Sequence, residues 1–351
     1  MRTIMKLRAA IIGYGKMGGI RHRAMERHGG FNVVAACDTK TSSDIGIPLV
    51  ANPHEVYDYE PDVVICCAPN RFIPDVVCEA LSRGKHVFSE KPPGRHSGDV
   101  ARMMEAEAAN PGLVLKFGFN HRFHGAIEEA RHLIEAGMLG ELYFMRGVYG
   151  KAGGTNYAAN WRNDPALSGG GILIDQGIHM LDLFLMFAGS FETVKSVVQR
   201  KFWTGVPVED NAFALMTSPS GVVANLHSSA TQWRHLFKLE LYLQRGFLSV
   251  DGILSASGTY GTEVLTVALN RMGPDGAPLP NPECQEIRFT EDRSWDKEIA
   301  EFHDAIVLGH PVRYGTSQQA MDVMTLVERI YAADPSWSQP AAPQGESAEV
   351  R

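Results

Sequence analysis

The sequence is short of three things, and each absence removes a class of function. Basic residues are not in excess: 33 Lys and Arg face 40 Asp and Glu, for a formal net charge of −7. No dense Lys/Arg run breaks that balance, which argues against the basic footprint of a nucleic-acid-binding protein. Cysteines are few and badly spaced for metal or disulfides. Cys37, Cys66, Cys67, Cys78 and Cys284 are odd in number and form no C-x-x-C pair, so free thiols are expected and no metal site. No uncharged apolar run approaches the ~18 residues of a membrane span. The opening "MRTIMKLRAAIIGYG" has only a short apolar run that leads into a glycine loop, unlike a signal peptide. A cytoplasmic protein without membrane or nucleic-acid partners is the expectation.

What is present is a globular balance, 44% hydrophobic and 21% charged over 351 residues, enough for two domains. The first third alternates apolar strands with helices: "LRAAIIG", "NVVAAC", "DVVICCAP", "KHVFSE" and "LVLKFGF" are strands, and the segments between them read as helical. Strands apolar without alternation are buried on both faces, the mark of a doubly wound parallel sheet. After Phe123 the grammar changes. In "FKLELYLQ", Phe237, Leu239, Leu241 and Leu243 face one way and Lys238, Glu240 and Tyr242 the other. Similar strands around 141–150, 193–203, 211–217 and 221–230 predict a large, mainly antiparallel, open-faced sheet in an α+β domain. The expected domains are 1–122 and 123–334, with the last two helices free to pack back on the first. The tail 335–351, rich in Pro, Ser, Ala and Gln, is expected to be disordered. No internal repeat is visible.

"GYGKMG" sets Gly13, Gly15 and Gly18 in G-x-G-x-x-G spacing between a predicted strand and helix. The first glycine permits the turn, the second lets backbone approach a pyrophosphate, and the third lets helix pack on strand. Tyr14, Lys16 and Met17 lie between them in the same phosphate-facing loop, where the helix N-terminus offers N–H donors. Asp38 follows 20 residues after Gly18, placed to bind both ribose hydroxyls and repel a 2′-phosphate. NAD is therefore favoured over NADP, although Lys40 lies close by. A methyltransferase with a related glycine loop is the competing reading.

"FSEKPPG" puts Lys91 directly after a strand of the parallel sheet, where ligands sit, on a backbone stiffened by two prolines. "GGGILIDQGIHMLDL" reads as a helix apolar on nearly every side, yet with Asp175 and His179 at i and i+4 on one face. Together the three residues suit oxidation of a secondary alcohol. His179 accepts the hydroxyl proton, Lys91 donates to the developing alkoxide, and Asp175 orients substrate and histidine. A metal site using Asp175, His179, His121 and His124 is the weaker reading, because spacing supplies no third ligand.

In order, "GYGKMG", "CAPN", "EKP", "GFNHRF", "NWR" and "DQGIH" resemble the Gfo/Idh/MocA oxidoreductase family from about Ala9 to Ala333. The resemblance implies a Rossmann domain followed by a domain whose open sheet often joins subunits, here into a homodimer or homotetramer. It implies that Lys91, Asp175 and His179 are catalytic and that Ala68, Pro69, Asn70, Glu90, Lys91 and Asn120 line the cofactor. It also sets Arg122, Trp161 and Arg162 around nicotinamide and substrate. Two departures stand out: only Thr39 to Gly46 separate Asp38 from the strand-like "IPLVA", and Ile73 stands where many relatives carry histidine. A crossover helix needs at least ~10–12 residues, so the helix there is expected to be lost or reduced to one turn. The implied activity is NAD-dependent oxidation or reduction of a sugar, polyol or sugar derivative, with specificity in loops 150–168 and 270–285. Rival readings are redox-assisted glycoside cleavage with recycled NAD and a non-catalytic dinucleotide-binding regulator.

Overall fold

A computed structural model describes residues 6–39, 45–255 and 257–337. Lys40, most of the short 39–46 crossover and the tail beyond Trp337 lie outside the described residues.

Six parallel strands form the first sheet: β1 (Leu7–Ile12), β2 (Phe31–Cys37), β3 (Leu49–Val50), β4 (Val63–Cys66), β5 (His86–Glu90) and β6 (Leu115–Gly118). Their spatial order is β3-β2-β1-β4-β5-β6, so the order reverses between β1 and β4. Both faces are dry, which is why the strands read as unbroken apolar runs. On one face Ile11, Ile65 and Phe88 pack against Ala24 and Met25 of α1 (Lys16–His28) and against Ile299 and Phe302 of α7 (Ser294–Val307). On the other, Ile12, Val64 and Val87 meet Val77 and Leu81 of α2 (Ile73–Ser82) and Val100 and Met103 of α3 (Ser97–Ala109). The chain thus returns at its end to cover a sheet built at its beginning. The last helix, α8 (Ser317–Ala332), does the same against α3.

The second sheet has eight strands in the order β14-β13-β12-β11-β7-β10-β9-β8. They are β7 (Leu142–Ala152), β8 (Thr193–Gln199), β9 (Asn211–Thr217), β10 (Val223–Ser229), β11 (Thr231–Leu243), β12 (Gly246–Asp251), β13 (Glu263–Leu269) and β14 (Cys284–Phe289). Only β7 and β10 pair in parallel; the rest are antiparallel. The alternation in β11 holds: Phe237, Leu239, Leu241 and Leu243 are buried, facing α4 (Gly125–Glu135) and α6 (Ile178–Ala188). The opposite face carries exposed Phe144, Phe213, Leu215 and Val223, with Phe144 stacked on Tyr242 and Phe213 on His227. Strands β12 to β14 were not foreseen. The 270–285 loop expected near the substrate is largely the β13–β14 connection, and none of its described contacts reaches Lys91, Asp175 or His179.

The largest local departure is in the apolar helix. Pro165–Ser168 is a short turn of helix (α5), Leu173–Gly177 is π-helical, and regular α-helix resumes at Ile178. The stretch Pro165–Ala188 is long and apolar enough by composition to cross a membrane, but it carries Asp175 and Asp182 and 67% of its most apolar window is buried inside the protein. It is a core helix enclosed by the second sheet and α8.

Candidate active site

The glycine loop is shaped as its spacing requires. Gly13 has φ +92°, and a Cβ there would lie 2.6 Å from the Cys67 carbonyl carbon and 2.8 Å from the Ala68 nitrogen. A Cβ on Gly18 would strike the Gly13 carbonyl oxygen, whereas one on Gly15 would meet nothing within 4 Å. The first and third glycines are therefore needed for packing, and the second leaves backbone facing open space. Gly15 is the N-cap of α1 and supplies no side-chain cap, so the first-turn N–H groups remain for an anion. The N–H groups of Gly13 and Tyr14 both donate to the Cys37 carbonyl, which ties the loop to the residue before Asp38. Close packing of Gly13 on Cys67 and Ala68 brings the Ala68–Asn70 turn to the same crevice. These residues fit a dinucleotide.

Asn70, Glu90 and Asn120 are buried with internal partners. Asn70 Nδ2 donates to the Ser168 carbonyl at 2.7 Å, and Asn120 Nδ2 to Ser294 Oγ at 3.2 Å. Glu90 pairs with the fully buried Arg21 at 2.5 Å, and Arg21 also reaches Glu298 at 2.7 Å.

Lys91 stands at the end of β5, before a cis Lys91–Pro92 bond. Its Nζ donates to the Asp175 carbonyl at 2.5 Å and lies 3.7 Å from Asp175 Oδ1. Asp175 lies in the π-turn and His179 in the regular helix that follows it. Asp175 swings toward Lys151 on β7, 2.7 Å from its Oδ2, and Arg162, whose Nε is 3.2 Å from Oδ1. Burial alone would raise the Asp175 pKa, but Lys151, Lys91 and Arg162 together hold it well below the usual carboxylate range. His179 instead stacks on His121, with ring centres 3.7 Å apart. No described hydrogen bond joins it to Asp175, so the expected orienting of the histidine by that carboxylate is not what the fold provides.

Burial, then Lys91 and His124, push the His179 pKa well below the ordinary imidazole value. Its ring is therefore neutral near pH 7, and its Nδ1 is buried without a partner among the described residues. His121 is held by Asn120 Oδ1 and the Tyr149 hydroxyl, both at 3.2 Å, and His124 by Glu263 at 2.7 Å. Among the described residues no group of three His, Cys, Asp or Glu is arranged to hold a metal ion.

Arg122 requires a correction. Its guanidinium grips the Asp182 carboxylate on α6 at 2.6 and 2.7 Å and lines a separate cavity with Tyr314 and Arg131, which contains none of Lys91, Asp175 and His179. The family resemblance put it beside the substrate; here its guanidinium is taken by the buried ion pair with Asp182. Trp161 is half-buried beneath Arg162, whose guanidinium carbon sits 4.5 Å from the ring centre.

Two residues escaped the sequence reading. Lys151 gave no signal beyond being a charge at a strand end. Glu209, fully buried, accepts from the N–H groups of Gly171 and Leu173 at 2.8 and 2.9 Å and from the Tyr331 hydroxyl at 2.8 Å, anchoring the segment that carries Asp175. Burial pushes its pKa up to about 7, against those three donors. An acid whose folded pKa exceeds its unfolded value binds more protons when folded, so its contribution is full below about 4.5 and is lost as pH rises to about 7. Urea denaturation of wild type and Glu209→Gln should therefore give a stability difference that shifts against the wild type across that window. A difference independent of pH would refute the assignment.

Comparison with known proteins agrees with the arrangement. Residues 7–118 match the GFO/IDH/MocA oxidoreductase family's NAD-binding Rossmann fold, and residues 127–249 match a GFO/IDH/MocA C-terminal domain. D-glucoside 3-dehydrogenase of Escherichia coli is 35% identical over 209 residues, a match that spans 57% of this chain and only 59% of that protein. Trans-1,2-dihydrobenzene-1,2-diol dehydrogenase of Bos taurus is 32% identical over 79% of this chain and 80% of its own length. The fold is shared with levoglucosan dehydrogenase in complex with NADH, at a TM-score of 0.82 and 18% identity over 93% of this chain and 96% of that one. The chain belongs to the Gfo/Idh/MocA family of oxidoreductases, with an NAD-binding Rossmann domain at its N-terminal end.

Proposed function

We propose that the protein is an NAD-dependent dehydrogenase or reductase that acts on a secondary hydroxyl or ketone of a sugar, polyol or sugar derivative. The observation that carries this reading is Lys91: its ammonium, just past the end of β5, donates to the Asp175 carbonyl and lies within electrostatic reach of the neutral His179. The loop Gly13–Gly18, Asp38 and the turn Ala68–Asn70 hold the dinucleotide, while Glu90 and Asn120 shape the crevice wall through their internal partners. Bound NAD supplies the hydride acceptor. His179 takes the hydroxyl proton, since a neutral imidazole has a lone pair to offer. Lys91 donates to the oxygen as charge builds on it, in a site where burial strengthens that interaction. Asp175 keeps Lys91 and Arg162 in place. The division of labour falls near residue 122, with the second domain supplying the substrate side.

The apolar outer face of the second sheet, with exposed Phe144, Phe213, Leu215 and Val223, supports self-association as a dimer or tetramer. A monomeric mass by light scattering at micromolar concentration would overturn that part.

The test is a turnover screen that follows nicotinamide absorbance, offering inositols, aldoses, amino sugars and sugar nucleotides with NAD and NADP in parallel. Turnover with NAD above that with NADP is expected, as Asp38 disfavours a 2′-phosphate. Release of a free sugar with no net NADH would point instead to glycoside cleavage with recycled cofactor.

A further inference from the structure

We propose that the substrate carries an anionic group, a carboxylate or a phosphate, and that Lys151 and Arg162 receive it; this rests on the dehydrogenase reading above. Three cations, Lys91, Lys151 and Arg162, converge on the single carboxylate of Asp175, leaving two positive charges in excess. The neighbouring carboxylates are occupied elsewhere. Glu90 pairs with Arg21. Glu209 accepts from Gly171, Leu173 and Tyr331, and Asp210 from the backbone N–H groups of Lys201, Phe202 and Trp203.

Holding Asp175 does not require this excess. Like charges crowded together repel, and Arg162 and Lys151 both act to lower the Lys91 pKa, behind burial as the leading cause. Such a cost is offset when an anion joins the cluster.

Donor arithmetic points the same way. An ammonium has three N–H donors and a guanidinium five, and neither has an acceptor. Among the described contacts of Lys151 and Arg162 with other side chains, one bond from each goes to Asp175. Both side chains line a cavity of about 100 Å³ together with Asp175, Tyr157 and Asn160. That volume suits a group of a few heavy atoms rather than a sugar ring. A hydroxyl needs an acceptor as well as a donor. Here each Asp175 carboxylate oxygen already accepts from one of the two cations, and Asn160 Oδ1 accepts from the Arg162 backbone N–H. A carboxylate or phosphate only accepts, and a planar guanidinium beside a compact ammonium is the pairing that recognises either. The sugar ring then extends toward Lys91 and His179 while its charged substituent occupies the cavity.

The test has two readouts on the full-length protein. Calorimetric titration of the NADH-loaded protein with D-glucose, D-glucuronate and D-glucose 6-phosphate reads binding without turnover. At least one anion is expected to bind about tenfold or more tightly than glucose, as a charge-assisted bond requires. The better of the two identifies carboxylate or phosphate. Lys151→Met should abolish that preference and Lys151→Arg restore most of it. Affinity for the neutral sugar should fall by a smaller factor than affinity for the anion, and added salt should weaken only the anion. Equal affinity for all three, no binding of either anion, or a Lys151→Met loss shared by anion and glucose would overturn the proposal. Steady-state turnover of the same sugars separates this failure from that of the dehydrogenase reading. NAD reduction by a neutral sugar, lost in Lys91→Ala, would keep the dehydrogenase and remove the anion.

Discussion

Lys91→Ala is expected to lower kcat by about 10²–10³-fold, the usual cost of removing one donor aimed at developing negative charge. The residue sits where the β5 strand ends, buried enough that its ammonium pKa is lowered, by burial first, with Asp175 acting to raise it. In the ground state its proton goes to the Asp175 carbonyl, a neutral acceptor, so the stronger bond is left for an alkoxide. NAD affinity should change little, because the glycine loop and the Ala68–Asn70 turn belong to other strands. Asp175 should also stay in place, as Lys151 and Arg162 still hold both its oxygens. Stopped-flow hydride transfer and a parallel NAD titration check both halves. Turnover near that of wild type would remove Lys91 from the chemistry, and a matching loss of NAD binding would make its role structural.

Arg21→Met is expected to destabilise the fold by about 3–5 kcal/mol, the cost of removing one partner from a buried ionic group. Arg21 is fully buried, pairs with Glu90 and Glu298 at 2.5 and 2.7 Å, and lies 4.2 Å from the Phe88 ring centre and 4.7 Å from that of Trp295. It therefore joins α1, β5 and α7, the place where the end of the chain covers the first sheet. Methionine keeps much of the packing against Phe88 and Trp295. It leaves two carboxylates facing each other with no cation between them except Lys116, which acts on Glu298. Burial already raises the Glu298 pKa against the pull of Arg21, and without Arg21 it rises further. Protonation then relieves the repulsion, so the deficit should shrink as pH falls. Urea denaturation at two pH values reads this directly, and an unchanged midpoint at neutral pH would refute it. Because Glu90 precedes Lys91, some loss of turnover should accompany the loss of stability.

Much of the architecture is legible from local rules. Unbroken apolar strands separated by helices specify a sheet buried on both faces, and the alternation in Phe237–Leu243 specifies one with a second, open face. The glycine spacing fits the turn it makes: Gly18 packs on the Gly13 carbonyl within the loop, Gly13 on the distant Cys67–Ala68 backbone, and Gly15 leaves its face open. Strands β12 to β14 were harder to see. β14 is an edge strand with almost every side chain exposed, so no buried stripe marks it.

The partners of charged side chains follow a different logic, since they depend on which distant elements meet. Sequence spacing put Asp175 above His179, but in the fold one contacts Lys151 and Arg162 and the other stacks on His121. Arg122 stood in a run suited to the substrate, yet Asp182, 60 residues away, captures it. Lys151 and Glu209 carried no local signature at all, because what defines them is a carboxylate or an N–H pair brought from another element. The sequence by itself determined the first sheet, the alternating strand β11 and the spacing of the cofactor loop, through periodicity and the placement of glycine. Only the tertiary structure decided which cations surround Asp175 and that His179 stacks on His121, because a polar group buried by folding takes whichever partner the packing delivers.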